Sequence, residues 1–145
     1  MPENRFPPDT AAEWMNRAKS DLAIASAEIE GVYLEDLCYH AQQAVEKSLK
    51  AILLARVGSF PYIHDLAELV NRIQQAGVQV PEPVRSAVAL TEYAVGARYP
   101  GLDEPVTRSD WEEALNMANE VLNWAVALLE KTVNSPLESR NSPLP

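Results

Sequence analysis

Apolar residues recur every three or four positions along most of this chain, and this spacing limits its fold more than any other feature. In the first such segment Trp14, Ala18, Leu22, Ala25 and Ile29 follow one another at intervals of three or four residues. This spacing places them on one face of an α-helix. No segment alternates between apolar and polar residues for long enough to predict a strand. The sequence therefore predicts an all-α fold, an up-and-down antiparallel helical bundle of four to five helices.

Capping and breaking residues indicate where the first and last helices begin and end. The Thr10–Glu13 segment has the capping-box pattern of a helix start, and Gly31 is expected to end the helix that follows. The Ser109–Glu112 segment has the same pattern ahead of the last helix, which is predicted to run to about Lys131. The segment 99–105 holds two prolines and a glycine, which favours a loop before that helix.

Three further helices are predicted between these two. The second helix is expected to run from about Leu34 to about Arg56. The third begins near Asp65 and has Gly77 as its C′ residue. A short fourth helix is predicted around Pro83, which suits a first helical turn.

The chain is predicted to form one domain with two flanking segments. Residues 1–8 contain three prolines and form an N-terminal arm that does not resemble a signal peptide. Residues 9–131 form the helical bundle, and residues 132–145 form a polar, proline-rich, flexible tail. One bundle of this size can enclose a single hydrophobic core.

The composition argues against several functional classes. The net charge of −9 works against sequence-independent binding to nucleic acid, although it is compatible with a local basic groove. Cys38 is the single cysteine, so an internal disulfide is excluded, and with two histidines it gives little support for a zinc site. We therefore expect no metal and no cofactor. No apolar stretch approaches the roughly 18–20 residues that span a bilayer, so a cytoplasmic protein is expected.

The last helix carries more apolar residues than one core face requires. Its main stripe consists of Trp111, Leu115, Ala118, Leu122, Ala125 and Leu129. A second stripe consists of Met117, Val121, Trp124 and Leu128. Two stripes favour burial on two sides. The second side is either the surface for a partner protein or the inner side of a helix at the centre of a thick bundle.

The second helix carries a row of polar residues opposite its predicted core face. This polar row consists of Tyr39, Gln43, Glu46, Lys47 and Lys50, which are spaced to run along one side of a helix. The two lysines are suited to hold a phosphate, and Gln43 is suited to read a base edge or a sugar hydroxyl. The alternative is an ordinary solvated face, in which Glu46 and Lys50 form a surface pair worth about 0.2–0.5 kcal/mol.

Several segments together resemble the HEPN domain family. His40–Ala51 is similar to the signature helix of that family, and His64–Leu66 is similar to its histidine-aspartate-leucine start of the next helix. Arg98–Pro100 resembles its arginine-tyrosine element before the last helix, and Trp14 and Asp21 fit its first helix. The resemblance covers roughly residues 9–131, with the motifs in the right order.

The resemblance implies a fold, partners and a set of site residues. The fold is a small helical bundle that usually forms a homodimer. The frequent partner is a minimal nucleotidyltransferase encoded beside it, and many such pairs act as toxin and antitoxin, with an RNA-cutting HEPN toxin. Other members are described only as nucleotide-binding. The residues implied for nucleotide or RNA binding are Gln43, Lys47, Lys50, His64, Asp65, Arg98 and Tyr99.

One departure from the family pattern leaves the enzymatic activity open. Members that cut RNA carry an arginine followed, after four to six residues, by a histidine near the start of the last helix. Arg98 has a suitable place, but residues 103–105 stand at the histidine positions, and seven residues separate Arg56 from His64. The usual motif is therefore absent in sequence. Arg98 and His64 remain as candidates for catalysis, and both are weak. His64 is otherwise a helix-start residue beside the N-cap Asp65.

Three functions are compatible with these observations. The favoured one is a nucleotide- or RNA-binding module that works with a nucleotidyltransferase partner in a toxin–antitoxin pair. The alternatives are an endoribonuclease toxin with a degenerate active site and a purely structural helical dimerisation domain. The last alternative predicts that substitution of Lys47 or Lys50 changes only the surface charge. His40, at the edge of the polar row, is expected to pack or to form a hydrogen bond rather than to catalyse.

Overall fold

A computed structural model describes residues 5–94 and 105–134 of the chain. Helices account for most of these residues, and no strand occurs among them. The predicted all-α antiparallel bundle is confirmed. Its α-helices are α1 (Ala11–Ser26), α2 (Leu34–Val57), α3 (Leu66–Gln75), α4 (Glu82–Ser86) and α5 (Arg108–Asn134), and a 3-10 helix (Ala87–Tyr93) continues from α4.

Helix α2 lies at the centre of the bundle. It packs against α1, α5, α3 and the 3-10 helix, so its middle part is enclosed on most sides. Its large apolar side chains Leu49 and Ile52 are almost fully buried. Burial of each such side chain contributes about 1.5–3 kcal/mol before entropy is counted. Because α2 is central, several polar residues on it are buried as well: Gln42, Glu46, Ser48 and Lys50.

The prediction that α1 ends at Gly31 is wrong. The helix ends at Ser26, because Ala27 is extended and its N–H already bonds to the carbonyl of Ile24. Gly31 instead has a positive φ of 90° in the connection to α2, a conformation that suits glycine. Ile29 therefore lies outside the helix and is exposed, although the spacing predicted it on the buried stripe.

The predicted α2 and α3 agree with the structure. Asp65 is the N-cap of α3, and its carboxylate accepts a hydrogen bond of 3.0 Å from the N–H of Ala67. Gly77 has a φ of 91°, as its predicted position after the helix requires. Pro83 lies in the first turn of α4, which is a short helix.

The predicted start of α5 is wrong by two residues. The capping box is formed by Thr107 and Asp110 rather than by Ser109 and Glu112. The Thr107 hydroxyl accepts from the N–H of Asp110, and the Asp110 carboxylate accepts from the N–H of Thr107, both at 3.0 Å. Ser109 consequently lies inside the first turn. The helix also continues to Asn134, beyond the predicted end at Lys131.

The second apolar stripe of α5 is partly covered by the rest of the bundle. Val121 is buried, whereas Met117, Trp124 and Leu128 are half-buried against the core. In the main stripe Trp111 is buried, and its indole N–H donates to the carbonyl of Ala25 on α1 at 2.8 Å. The covered part of the second stripe agrees with a helix packed on two sides.

Two further properties concern only the described parts of the chain. None of the helices in residues 5–94 and 105–134 has the length and hydrophobicity needed to cross a membrane. The same residues contain no group of three or more histidine, cysteine, aspartate or glutamate side chains placed to hold a metal ion.

Candidate functional site

The polar row of α2 lies between α1 on one side and the connection from α2 to α3 on the other. Each side meets a carboxylate. Asp21 comes from α1, and Glu46 belongs to the row itself and faces His64 of the connection. The two carboxylates organise two clusters of side chains, which together form the candidate site.

The first cluster, the Asp21 cluster, joins α1 to α2. Asp21 follows Ala18 by three residues, so it lies on the same buried face of α1. One carboxylate oxygen lies 2.9 Å from Nδ1 of His40, and the other accepts a hydrogen bond of 2.5 Å from Nζ of Lys47. Lys47 keeps about a quarter of its side chain exposed, so its ammonium remains accessible from the surface.

The second cluster, the Glu46 cluster, lies deeper. Glu46 and Lys50 are only 4% and 5% exposed, and Nζ of Lys50 donates to the Glu46 carboxylate at 2.8 Å. The same carboxylate accepts from Gln42 at 3.0 Å and lies 3.0 Å from Nδ1 of His64. Gln43 completes the cluster through a hydrogen bond of 2.8 Å to the side chain of Gln42. These contacts therefore surround the Glu46 carboxylate with hydrogen-bond donors.

The electrostatics of the Glu46 cluster favour an ionised carboxylate. Burial raises the pKa of Glu46, but hydrogen bonds from Lys50, Gln42 and His64 outweigh it and leave the pKa below its ordinary value. A carboxylate can only accept hydrogen bonds, so Nδ1 of His64 carries the proton in this contact. In the tautomer with that proton on Nδ1, Nε2 is the nitrogen that can accept a hydrogen bond or a proton. The His64 side chain is 70% exposed, so the cluster connects a buried charge to the surface.

Aromatic residues close the site beside Lys50. The ring of Phe60, in the connection before α3, lies 5.2 Å from the Lys50 ammonium. The same ring contacts Trp14 of α1 edge to face at a centroid distance of 4.9 Å. Phe60 therefore links α1 to α2 and screens Lys50 from solvent.

A cleft of about 300 Å³ opens on the α1 side of the site. Three cations line it, namely Arg5, Arg17 and Lys47, together with Glu13, Asn16, Ser20 and Asp21. Glu13 is buried, and its pKa lies below the ordinary value chiefly because it accepts a hydrogen bond from the backbone N–H of Phe6. The two arginines are half-exposed or more, and Arg5 lies 4.0 Å and Arg17 3.3 Å from the Glu13 carboxylate. The cleft thus offers positive charge and a hydroxyl to an anion.

The structure brings Gln43, Lys50 and His64 together around Glu46, and it places Lys47 of the same helix against Asp21. Asp65 adjoins them but its carboxylate caps α3. Arg98 and Tyr99 lie outside the described residues, as do most of the predicted loop 99–105 and the tail beyond residue 134. The alternative reading of Glu46 and Lys50 as a surface pair is wrong, because their hydrogen bond is buried.

Sequence reasoning missed part of the site. Asp21 entered only through the family resemblance, although a carboxylate on the buried stripe of α1 was a signal in its own right. Phe60 and Arg5 had no periodic signal, since they lie in irregular segments. The expectation that His40 forms a hydrogen bond is confirmed by its contact with Asp21.

The comparisons with known proteins bear on the family and the fold of the chain. The HEPN domain model matches residues 11–131. A protein of known crystal structure from Thermus thermophilus is 31% identical, with 82% of this chain and 98% of that chain covered and a TM-score of 0.69. An archaeal HEPN homologue of known structure is 25% identical, with coverages of 83% and 98% and a TM-score of 0.63. No curated protein matches the sequence.

Proposed function

The chain belongs to the HEPN domain family, and from this membership we propose that it is a cytoplasmic nucleotide- or RNA-binding module that works with a nucleotidyltransferase partner in a toxin–antitoxin pair. The family relationship supports a nucleotide- or RNA-related role. The candidate ligand-binding surface is the polar row of α2 with the two clusters on its sides. In this proposal Lys47 and His64 contact the ligand directly, and Lys50 and Glu46 hold His64 in place.

The observation that carries the proposal is the buried Glu46 cluster. A buried ion pair contributes little to stability, because desolvation of the two charges offsets their attraction, and apolar side chains of similar volume would serve the fold as well. The cluster nevertheless holds an exposed histidine at the surface, above a buried lysine and a buried glutamine. Perturbed ionisable groups beside a cleft are typical of functional sites. The nearby cations Arg17 and Lys47 suit the phosphates of a nucleotide.

A binding titration tests this proposal. The purified protein is titrated with ATP, GTP and a short single-stranded RNA, and the variants Lys47→Ala, His64→Ala and Arg98→Ala are compared with wild type. Lys131→Ala is the matched control, because Lys131 is an exposed lysine far along α5. We expect saturable binding that weakens roughly 10- to 100-fold in Lys47→Ala, as loss of a charged hydrogen bond predicts.

The same titration separates this function from a purely structural role. Absence of binding at millimolar ligand, or equal affinities of Lys47→Ala and Lys131→Ala, contradicts the proposed site. A structural dimerisation domain predicts the first of these results, with the fold and the oligomeric state unchanged in Lys47→Ala.

The partner proteins are part of the proposal. The half-buried residues Met117 and Trp124 of α5 leave apolar surface that a second copy of the chain can cover, which supports a homodimer. Light scattering on the purified protein is expected to give twice the monomer mass of 16.0 kDa. Co-expression with the nucleotidyltransferase encoded beside the chain is expected to give a stable complex and to relieve any growth arrest. A monomer that forms no such complex contradicts this part of the proposal.

A second candidate function is RNA cleavage, and the contact between Glu46 and His64 favours it. The carboxylate holds Nδ1 of His64 at 3.0 Å, while Nε2 of this exposed ring is available to take a proton from a ribose 2′-hydroxyl. In this candidate, Arg98 stabilises the charge that develops on the phosphate. Metal-free cleavage of labelled RNA by wild type, abolished in His64→Ala, would support it. Intact RNA together with unchanged growth on expression would contradict it.

A further inference from the structure

The ring of Tyr62 lies almost entirely in solvent beside the candidate site. It is 93% exposed and lies in the short irregular stretch that links α2 to α3. Ile63, the next residue, packs against the hydrophobic core, whereas His64 after it is exposed again. The chain is therefore anchored at Ile63, with an exposed tyrosine ring and an exposed imidazole on either side of the anchor.

The Tyr62 ring has an aromatic neighbour that is itself held by other residues. It contacts Phe60 edge to face, at a centroid distance of 5.8 Å and an interplanar angle of 69°. Phe60 is held in turn by Trp14 of α1 and by the ammonium of Lys50. Lys50 is hydrogen-bonded to Glu46, which also holds His64. The exposed ring and the exposed imidazole thus share one support. A tyrosine side chain has few rotatable bonds, so it loses little conformational entropy when a flat ligand stacks on it.

A groove next to this ring supplies polar groups. It has a volume of about 410 Å³ and is lined by Leu53, Val57, Ser59, Phe60, Pro61, Arg72, Gln75 and Ala76. This volume is in the range of small-ligand sites. Arg72 is half-exposed and paired with Glu68 of the same helix at 3.0 Å. An exposed pair of this kind is weak, so the guanidinium can exchange the carboxylate for a phosphate at little cost.

We propose that Tyr62 is a stacking platform for an unpaired nucleobase, with Arg72 on the phosphate of the same or the adjacent nucleotide and His64 within reach of the sugar. This inference rests on the proposed function and specifies which part of the ligand is recognised. Single-stranded RNA is bound in this way in many proteins, since unstacked bases lie on aromatic side chains while cations hold the backbone.

The surroundings of Tyr62 favour a nucleobase over a protein partner. A surface that docks a protein has an apolar centre in which charged residues are depleted. Here Ser59, Arg72 and Gln75 stand among the apolar residues that line the adjoining groove, and His64 lies two positions after the ring. An exposed aromatic ring beside a groove that combines apolar residues with a hydroxyl, an amide and a guanidinium matches the chemistry of a nucleotide, which is flat and apolar on its base and anionic on its phosphate.

The test compares Tyr62→Ala and Tyr62→Phe with wild type in binding a fluorescently labelled single-stranded oligoadenylate. Tyr33→Ala is the matched control, because Tyr33 is also largely exposed, at 73%, but lies in the connection between α1 and α2. We expect Tyr62→Ala to weaken binding roughly 5- to 100-fold, the range for loss of one base-stacking contact. Tyr62→Phe keeps the ring and should bind within about twofold of wild type.

An abasic version of the same oligomer gives the readout that a general structural role would not change. Wild type and Tyr62→Ala should bind it equally weakly, because without a base there is nothing to stack. ATP in place of the oligomer shows whether a free nucleotide suffices or a strand is required. Equal binding of the oligoadenylate by wild type and Tyr62→Ala overturns the inference while leaving the proposed function intact. The same holds if Tyr62→Ala weakens binding of the abasic oligomer as much as it weakens binding of the oligoadenylate. Failure of wild type to bind any of these ligands overturns both.

Discussion

At the scale of single residues, Glu46 and Lys50 show what spacing can and cannot predict. Their separation by four positions on α2 predicts an ion pair, and the pair forms at 2.8 Å. The spacing does not predict that the pair is buried. Its burial depends on Phe60 and His64, which come from an irregular segment with no periodic pattern. Local propensity therefore identified the partners but not the environment that sets their energy.

Glu46→Gln should destabilise the protein strongly. The substitution removes the countercharge of Lys50 and leaves a buried ammonium without an ionised partner, which costs about 3–5 kcal/mol of unfolding free energy. Urea denaturation followed by circular dichroism measures the difference. Glu68→Gln is the matched control, since Glu68 pairs with Arg72 at the same spacing but in an exposed position, where the expected loss is about 0–1 kcal/mol. Similar losses in the two variants would contradict the burial of the Glu46 pair.

The double variant Glu46→Met with Lys50→Met separates stability from function. Replacement of a buried ion pair by apolar side chains of similar volume is often neutral or stabilising. Because the buried Gln42 amide loses its acceptor, we expect a net loss of unfolding free energy of at most about 1–3 kcal/mol, which is smaller than in Glu46→Gln. Ligand binding should still fall, because His64 loses the carboxylate that holds it. A stable double variant that binds RNA as well as wild type would show that the cluster serves the fold alone.

The same double variant should change the response to acid. The pKa of Glu46 in the folded protein lies below its ordinary value of 4.5. Its ionised form therefore stabilises the fold above pH 4.5, and that contribution is lost as the pH falls from 4.5 through the lowered folded pKa. The unfolding free energy of wild type should decline faster with falling pH in this range than that of the double variant. Parallel declines would show that Glu46 has no depressed pKa.

At the scale of the helices, predicted boundaries were accurate where one residue has a conformational reason to end or begin a helix. Asp65 and Gly77 bracket α3 as expected, because one accepts a hydrogen bond from a free N–H and the other tolerates a positive φ. The end of α1 was wrong, since Gly31 shapes the turn into α2 and Glu28 before it pairs with Arg108 of α5. A contact between distant segments, invisible in the local sequence, accompanies that early end.

The two possible caps of α5 can be distinguished by matched alanine substitutions. Thr107→Ala removes the hydroxyl that accepts from the N–H of Asp110 and should cost about 1 kcal/mol, within the range of about 0.5–2 kcal/mol for N-cap residues. Ser109→Ala, inside the first turn, should change the stability by less than about 0.5 kcal/mol. Both positions are exposed, so loss of side-chain packing contributes little to the difference between the two variants. A larger loss of unfolding free energy in Ser109→Ala than in Thr107→Ala would favour the Ser109–Glu112 capping box that the sequence predicted.

At the scale of the whole molecule, the fold class and the polar row could be predicted because both depend on periodicity. The site as a three-dimensional object could not be predicted in full. Its two clusters join α1, α2 and the connection before α3, and its cleft adds Arg5 from the N-terminal arm. Those contacts are set by how the helices pack, which single-sequence patterns do not encode.

The net charge of the molecule bears on how RNA binding should depend on salt concentration. A chain with a net charge of −9 repels RNA at long range, so affinity must come from a few local cations. If Lys47, Arg17 and Arg72 contact phosphates, the logarithm of the association constant should fall with the logarithm of salt concentration with a slope of about −2, from roughly −0.7 per phosphate contact on a single strand. Lys47→Ala should make this slope shallower by about 0.7, whereas Lys131→Ala should leave it unchanged. A slope near zero in wild type would mean that no phosphate is held, and it would leave stacking on Tyr62 without the cationic support on which the proposed mode of binding depends.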